Sequence, residues 1–154
     1  MNQIEIIAEL DKPPREVQYL EAFILSILDV LGVENWQMGL LITDDDGIRE
    51  FNRRWRNIDK ATDVLSFVQD DGEVIPVMPG MPKEAGDIII SLETVAENAR
   101  QWDNSYDEEL RRAIIHGILH LDGMDHPGDD YKTGMLKLQE ELLADTGSII
   151  VDNN

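Results

Sequence analysis

All three histidines of the chain lie in one eleven-residue stretch, His116-Gly-Ile-Leu-His120-Leu-Asp-Gly-Met-Asp-His126. Four residues along a helix bring a side chain back to the same face, so His116 and His120 can bind one metal ion together. Gly123 can adopt the left-handed conformation that ends a helix, which lets the chain turn back and present His126 from a third direction. Three nitrogen ligands leave one position of a tetrahedral ion open, as in a catalytic zinc site. The alternatives are a structural cluster of histidines and a pH-sensitive surface.

The spacing of these histidines, with glycine at the eighth place, is similar to that of the metzincin proteases. In those enzymes a glutamate follows the first histidine and acts as general base, whereas this chain has Gly117 at that place. Glycine has no side chain that could accept a proton or orient a water molecule. A peptidase would therefore need a carboxylate from elsewhere, and Asp122 and Asp125 are the nearest candidates. The pattern predicts the metal site of a hydrolase and disfavours peptidase activity.

The charge of the chain is strongly acidic. Thirteen basic and 32 acidic residues give a net charge of −19 at pH 7, and such a charge repels the phosphates of a nucleic acid. Five of the cations nevertheless fall in a short stretch with only two acids: Arg49, Arg53, Arg54, Arg56 and Lys60. This local patch could attract an anionic ligand. The alternative is that Arg49, Arg53 and Arg54 merely occupy the solvated face of a helix.

Length and composition limit the class of protein. The 154 residues suit one compact domain, residues 1–154, with a full-sized core. The chain contains no cysteine, which excludes disulfides, iron–sulfur clusters and thiolate zinc sites. No apolar run reaches membrane-spanning length, and the N-terminus does not resemble a signal peptide. We therefore expect a cytoplasmic protein without a membrane partner.

Strands and helices must position the histidines and arginines. Apolar–polar alternation and short apolar runs predict strands at residues 3–8, 36–43, 64–67 and 86–91. Capping residues and apolar stripes predict helices at about 13–32, 44–56, 91–102, 105–121 and 129–144. Residues 69–85 form the one long irregular segment, which in a compact domain is usually a functional lid or a disordered tip.

Two helices carry the candidate site residues. In the second predicted helix the inward-facing residues are expected to be Ile48, Phe51, Asn52 and Trp55. In the fourth predicted helix, the buried face is expected to consist of Leu110, Ala113, Ile114, Gly117, Ile118 and Leu121. This leaves His116 and His120 on the flank of the helix. The histidines would then point from a packed helix into a cleft.

The order of these elements predicts an α+β domain, with a small mixed β-sheet packed with helices. The early strand–helix–strand units should give parallel strand pairs with right-handed crossovers. One later strand is expected to run antiparallel.

The histidine stretch, together with Phe51-Asn-Arg-Arg-Trp-Arg-Asn-Ile-Asp-Lys-Ala-Thr-Asp-Val-Leu-Ser-Phe67 and Gly86-Asp-Ile-Ile-Ile-Ser91, resembles the YbeY family. These proteins are bacterial-type endoribonucleases and rRNA maturation factors. The resemblance implies a zincin-like fold and one zinc ion bound by His116, His120 and His126. It also implies metal-dependent hydrolysis of single-stranded RNA in rRNA 3′-end maturation and ribosome quality control. The expected partners are ribosomal RNA and the ribosomal subunit or its associated proteins, with no DNA partner.

By position in the matching stretch, Arg56 corresponds to the family's functionally important arginine. The planar fork of arginine binds phosphate oxygens in pairs, so Arg56 is predicted to hold the scissile phosphate while a metal-bound water attacks. The alternative is a structural salt bridge from Arg56 to Asp59 or Asp63. Trp55, Ala61 and Met124 depart from the usual residues of the family, and none of these changes removes a ligand.

Three functions from different classes remain open at this point. The first is a metal-dependent RNA hydrolase, and the second is a metallopeptidase or another hydrolase that uses the same histidines. The third is a non-catalytic ribosome-assembly factor in which the metal only stabilises the fold. Asp63 and Asp87 are either second-sphere acceptors for a ligand histidine or turn caps.

Overall fold

The computed structural model describes residues 1–69, 81–124 and 134–149. Four strands in these segments form one sheet in the order β1-β2-β4-β3, with β1 Gln3–Ala8, β2 Trp36–Thr43, β3 Val64–Val68 and β4 Lys83–Ser91. β1, β2 and β4 run parallel, and β3 pairs antiparallel with β4 at the edge. The sheet is therefore mixed, and the expected α+β class with one antiparallel strand is confirmed.

Helices cover the sheet unequally on its two faces. They are α1 Leu20–Val30, α2 Asp45–Arg56, α3 Leu92–Gln101, α4 Tyr106–Leu121 and α5 Gly134–Asp145. The main apolar core joins α1, α4 and α5 to one face of the sheet, where Leu40, Ile88 and Ile90 are fully or almost fully buried. A smaller cluster on the other face packs Ile48 of α2 on Leu65 and Ile89. α4 is thus the helix that lies in the middle of the larger core.

Side-chain caps begin three of the helices where the sequence predicts them. Asp44 accepts a hydrogen bond from the N–H of Gly47 at 2.9 Å, and Ser105 accepts one from the N–H of Glu108 at 3.0 Å. Ser91 accepts from the N–H of Thr94 at the start of α3. Each contact satisfies a backbone donor that has no partner within the first helical turn. The start of the histidine helix is therefore fixed by local chemistry.

Two boundaries differ from the prediction. The first helix does not begin at the prolines, because residues Arg15–Tyr19 form a 3-10 turn before α1 starts at Leu20. β4 begins at Lys83 rather than Gly86, so the irregular segment predicted at 69–85 ends earlier. The register of β4 against β2 shifts between Gln37 and Met38, which marks a bulge. The polar residues at the start of β4 do not predict this bulge.

Other predictions on the irregular segment and the last helix extend beyond the described part of the chain. Residues 70–80 lie outside the described segments, as do residues 129–133 at the predicted start of the last helix. α5 itself runs from Gly134 to Asp145, close to the predicted end at 144. Within the described segments, no helix combines the length and apolar character needed to span a bilayer.

Trp55 is the clear error in the predicted packing. Ile48 and Asn52 are buried and Phe51 is half-buried, as expected, but Trp55 is 69% exposed. Trp55 instead lines an open groove of about 430 Å³ above the sheet, together with Glu5, Ile7, Phe51, Asp87 and Ile89. Helical periodicity gives the direction of a side chain, but it does not show whether other side chains pack around it.

Candidate metal centre and phosphate-binding arginine

α4 holds His116 and His120 on a half-buried flank, one turn apart. The rest of the helix is buried almost all round, with Ile114, Ile115 and Ile118 fully enclosed. Such packing leaves little freedom for the backbone that carries the two histidines. The predicted placement of the pair beside the buried face is confirmed.

The two imidazole rings point their Nε2 atoms at each other. The distance between Nε2 of His116 and Nε2 of His120 is 3.1 Å, and the rings meet edge to face with centroids 4.7 Å apart. Two nitrogen ligands of a tetrahedral zinc ion, with bonds of about 2.0–2.1 Å, are separated by about 3.3 Å. The observed separation is close to that value, so the two donors fit one zinc ion without a change of backbone.

The third predicted ligand, His126, lies outside the described residues, as does Asp125. The helix end that precedes them is described. Gly123 has φ +88°, its N–H donates to the carbonyl of His120, and the N–H of Met124 donates to that of Leu119. This pair of bonds is a Schellman motif, which turns the chain away from the helix axis. Within the described segments, no group of three His, Asp or Glu side chains is placed to hold a metal ion.

Gln139 of α5 contacts His116, and the sequence analysis did not predict this contact. Its side chain is only 4% exposed, and Oε1 lies 2.6 Å from Nδ1 of His116. Its Nε2 donates to Glu140 Oε2 at 3.1 Å. The signal was present in the sequence, since Gln139 interrupts the apolar face that Met135, Leu136, Leu142 and Leu143 form on α5. A polar residue on a buried stripe requires a partner.

Glu140 is in turn held by Arg112 of α4. Arg112 donates from Nε and Nη2 to the two carboxylate oxygens of Glu140, both at 3.0 Å. Burial raises the pKa of Glu140, but the hydrogen bonds from Arg112 and Gln139 outweigh it, so that the pKa lies below its ordinary value. Arg112 also pairs with the buried carboxylate of Glu109. Glu140 is therefore an ionised acceptor at neutral pH.

Gly117 faces the sheet. A Cβ atom on Gly117 would lie 2.9 Å from Cδ1 and 3.0 Å from Cγ2 of Ile88, closer than van der Waals contact allows. The position that holds the general base in the metzincins is thus pressed against β4. The structure gives a packing reason for the glycine and leaves no room for a carboxylate there.

Arg56 lies at the end of α2 and contacts β3, the strand against which α4 also packs. Nη2 of Arg56 donates to the carbonyl of Ser66, and its Cζ lies 5.3 Å from the centre of the Phe67 ring. These contacts orient the guanidinium while its side chain stays exposed. The salt-bridge alternative is not observed: Asp59 binds Arg49, and Asp63 accepts from the N–H of Val64.

The other arginines of the basic stretch are paired with acids. Arg49 binds Asp59 through two hydrogen bonds of 2.7 and 3.2 Å, and these lower the pKa of Asp59. Arg53 and Arg54 both pair with Glu50. The interpretation of these three arginines as a solvated helix face is therefore confirmed. Within the described segments Arg56 differs from them in making no ion pair.

Asp63 and Asp87 make contacts away from the histidine pair. Asp63 accepts from the N–H of Val64 at 2.8 Å, which supports its interpretation as a turn cap. Ile88 faces α4, so its neighbour Asp87 projects from the opposite face of the sheet, where it lines the groove beside Trp55. Neither contact places these carboxylates against His116 or His120.

Comparison with known proteins gives consistent matches. A sequence model of the family described as Endoribonuclease YbeY matches residues 7–147. A relative named Endoribonuclease YbeY from Treponema denticola is 44% identical over 135 residues, which covers 86% of each chain. One of the same name from Treponema pallidum is 40% identical over 144 residues, covering 94% of this chain and 89% of the relative.

A solved structure matches as well. The solution structure of TM1509 from Thermotoga maritima has a TM-score of 0.61 and 29% sequence identity to this chain. The match covers 92% of this chain and 87% of that protein. The likeness thus extends over nearly the whole chain.

Proposed function

The chain belongs to the endoribonuclease YbeY family, and on that premise we propose how it cleaves RNA. We propose that His116, His120 and His126 bind one zinc ion and that Arg56 binds the scissile phosphate of a single-stranded RNA. Residues 1–154 act as one domain in this reaction. As a member of this family the chain is a hydrolase of RNA phosphodiester bonds.

The observation that carries the proposal is the convergence of two imidazole nitrogens on one point. Nε2 of His116 and Nε2 of His120 are 3.1 Å apart on a helix that is buried on nearly every side. Two lone pairs at this distance would repel each other, so the pair requires a proton or a cation between the rings. A metal ion meets that requirement and uses both nitrogens as donors, which is the role that we propose for the pair.

The donor set favours zinc among the available metals. Neutral imidazoles suit Zn²⁺, although they also accept nickel, copper and cobalt, and three of them leave a coordination position open. When bound in such a site, zinc supplies Lewis acidity that activates water and withdraws charge from phosphate oxygens. Gly123 supports the third ligand, because its left-handed conformation turns the chain just before His126.

Arg56 supplies the phosphate contact. Guanidinium carries five N–H donors in a planar fork, and the contact to Ser66 uses one of them. Its Cζ lies over the Phe67 ring at 5.3 Å, and the N–H groups that Ser66 does not use remain to bind the non-bridging oxygens of a phosphate in pairs. Because Arg56 makes no ion pair with the described residues, a phosphate does not have to displace a carboxylate from it.

The substrate proposed is ribosomal RNA, cleaved in 3′-end maturation and ribosome quality control. A net charge of −19 weakens non-specific attraction to RNA, so cleavage depends on local contacts such as Arg56. The ribosomal subunit or its associated proteins are the proposed partners, and the proposed location is the cytoplasm, where ribosomal RNA is processed.

The test incubates purified protein with labelled single-stranded RNA and, separately, with a peptide library, each with and without a chelator. Elemental analysis of freshly purified protein identifies the metal. We expect cleavage of RNA only, loss of cleavage with the chelator, and recovery on addition of zinc. His116→Ala, purified in parallel, controls for contaminating nuclease, because a contaminant cleaves equally in both preparations.

Two outcomes would replace this function. Cleavage of peptides but not RNA would assign a metallopeptidase, which the contact of Gly117 with Ile88 disfavours. Absence of both activities, with chelation lowering only the melting temperature, would assign a ribosome-assembly factor with a structural metal.

A further inference from the structure

We propose that Arg112, Glu140 and Gln139 form a relay that fixes the tautomer of His116, with the ring proton on Nδ1 and the lone pair of Nε2 directed at the metal. The relay joins α4 to α5, since Arg112 and His116 lie on α4 and the other two residues on α5. This inference rests on the proposed function, because it assigns positioning residues to the same metal centre.

The first step is the orientation of the Gln139 amide. The carboxylate of Glu140 has only acceptor oxygens, and one of them lies 3.1 Å from the amide of Gln139. The amide group nearest to it must therefore be the NH₂, because an oxygen in that place would set two acceptors against each other. The carbonyl oxygen Oε1 of Gln139 then faces His116. The orientation of the amide follows from its partner rather than from its shape.

The second step is the position of the proton on His116. Oε1 of Gln139 can only accept, and it lies 2.6 Å from Nδ1 of His116. Nδ1 must carry the hydrogen of this bond. A neutral imidazole has a single N–H, so the lone pair is on Nε2. That nitrogen is the one that faces Nε2 of His120.

The third step is the anchor of the relay. Arg112 holds both oxygens of Glu140 through a bidentate contact, with both bonds at 3.0 Å. Arg112 is also paired with the buried Glu109, which accepts from Asn104 at 2.8 Å. The side chains of Arg112 and Glu140 are 23% and 36% exposed, so solvent screens this pair only partly. Glu140 cannot rotate away without breaking a charge-assisted fork.

Arg112 lies four residues before His116, which places both on the same flank of α4. Gln139 and Glu140 are adjacent on α5, and together they contact both of these α4 residues. The relay therefore sets the tautomer of His116 and the position of α5 on α4 at once. Loss of an outer contact to a ligand histidine typically lowers metal affinity by about 10- to 100-fold.

The experiment compares four variants with the wild-type full chain. Gln139→Met keeps the length of the side chain but removes the acceptor. Gln139→Glu keeps the acceptor for Nδ1 but sets its second oxygen against the carboxylate of Glu140. Glu140→Gln leaves Gln139 unchanged but removes the carboxylate that orients its amide. The amide of Gln139 can then turn round. Glu141→Gln is the matched control, because Glu141 is exposed on the same helix and pairs with Lys137.

The first readout is the proton position on the His116 ring, from long-range proton–nitrogen NMR spectra at a pH where the ring is neutral. Spectra are recorded for the metal-free and the zinc-loaded protein. We expect Nδ1–H in the wild type, in Glu141→Gln and in Gln139→Glu. In metal-free Gln139→Met and Glu140→Gln we expect a mixture of the two tautomers. A purely structural role for Gln139 would alter the melting temperature and leave the tautomer unchanged.

The second readout is zinc affinity by competition with a chelator. We expect a loss of about 10- to 100-fold for Gln139→Met and a smaller loss for Glu140→Gln. Gln139→Glu should lose less than Gln139→Met, because it keeps the acceptor for Nδ1 although two carboxylates then face each other. An Nε2–H ring in the metal-free wild type, or unchanged tautomer and affinity in folded Gln139→Met, would overturn the relay.

Failure of the relay and failure of the proposed function give different results. A wild type that cleaves RNA with zinc but carries Nε2–H when metal-free rejects the relay alone. A metal-free wild type with Nδ1–H that binds no zinc and cleaves no RNA supports the relay as the determinant of the ring proton and rejects the proposed function.

Discussion

The histidine centre and the Arg56 contact are built in opposite ways. His116 and His120 lie on a helix that is buried on nearly every side, and buried Gln139 contacts one of them. Arg56 lies on the exposed last turn of α2 and is oriented by one backbone carbonyl and one aromatic ring. The geometry of the proposed metal site therefore depends on the core, whereas the proposed phosphate contact depends on a surface side chain.

A similar contrast exists within α2 itself. Arg49, Arg53 and Arg54 are held by carboxylates of their own surface, and Arg56 is held without one. Exposed ion pairs contribute little to stability and are screened by salt. Whether an arginine can bind phosphate therefore depends less on its place in the sequence than on whether a carboxylate already pairs with it.

The largest effect is expected at the histidine centre. His116→Ala removes one of two converging donors, so we expect loss of zinc binding and at least about a hundredfold loss of RNA cleavage, more than for an outer contact. Zinc at a thousandfold excess over its dissociation constant stabilises the wild type by about 4 kcal/mol, and the variant should lose this gain. Thermal unfolding with and without zinc measures it. Equal stabilisation of both proteins by zinc would contradict the assignment.

The next effect separates the two regions. Arg56→Ala should lower RNA cleavage by about a hundredfold, the usual size for one electrostatic contact to a transition state. The free energy of unfolding should change by less than about 0.5 kcal/mol, since the side chain is exposed. Zinc affinity should not change. Single-turnover cleavage and a zinc titration test this, and Arg56→Lys should recover only part of the activity because it lacks the planar fork.

The contact between α4 and the sheet gives a smaller, purely structural effect. Gly117→Ala forces a methyl group against Ile88, which costs about 1–3 kcal/mol, offset by about 0.5–1 kcal/mol of better helix propensity. We expect a net loss of about 1 kcal/mol in urea unfolding. Combining it with Ile88→Val, which removes the nearest atom, should give a loss smaller than the sum of the two single variants. If the losses of the two single variants simply added, residue 117 and Ile88 would not be in close contact in solution.

The smallest effect is expected at the paired arginines. Arg53→Ala removes a cation that is already neutralised by Glu50, so RNA affinity should fall by no more than about twofold at physiological salt. The slope of log affinity against log salt should change by clearly less than one, whereas Arg56→Ala should reduce it by about one. Equal changes in the two variants would remove the distinction between them.

Much of the fold can be predicted from local sequence chemistry. Asp44, Ser91 and Ser105 marked the helix starts because their oxygens bond to orphan backbone donors, and the strands followed apolar alternation. Gly123 is predictable because glycine readily adopts the positive φ with which many helices end. In each case the cause lies within a few residues of the effect.

The remaining features depend on contacts between distant segments. Gln139 is separated from His116 by 23 residues, and only the packing of α5 on α4 brings them together. Trp55 continued a perfectly periodic stripe, yet the sheet under its turn is uncovered. No local sequence pattern predicts how far a helix extends across the sheet or across another helix.

The absence of a side chain at position 117 has a mechanical consequence. With only a hydrogen atom on Gly117, the backbone of α4 packs directly against Ile88, so a shift of the helix toward β4 would make the two collide. This close packing limits how far the backbone that carries the two imidazoles can move. Binding of the proposed ion between them should therefore need little rearrangement of that backbone.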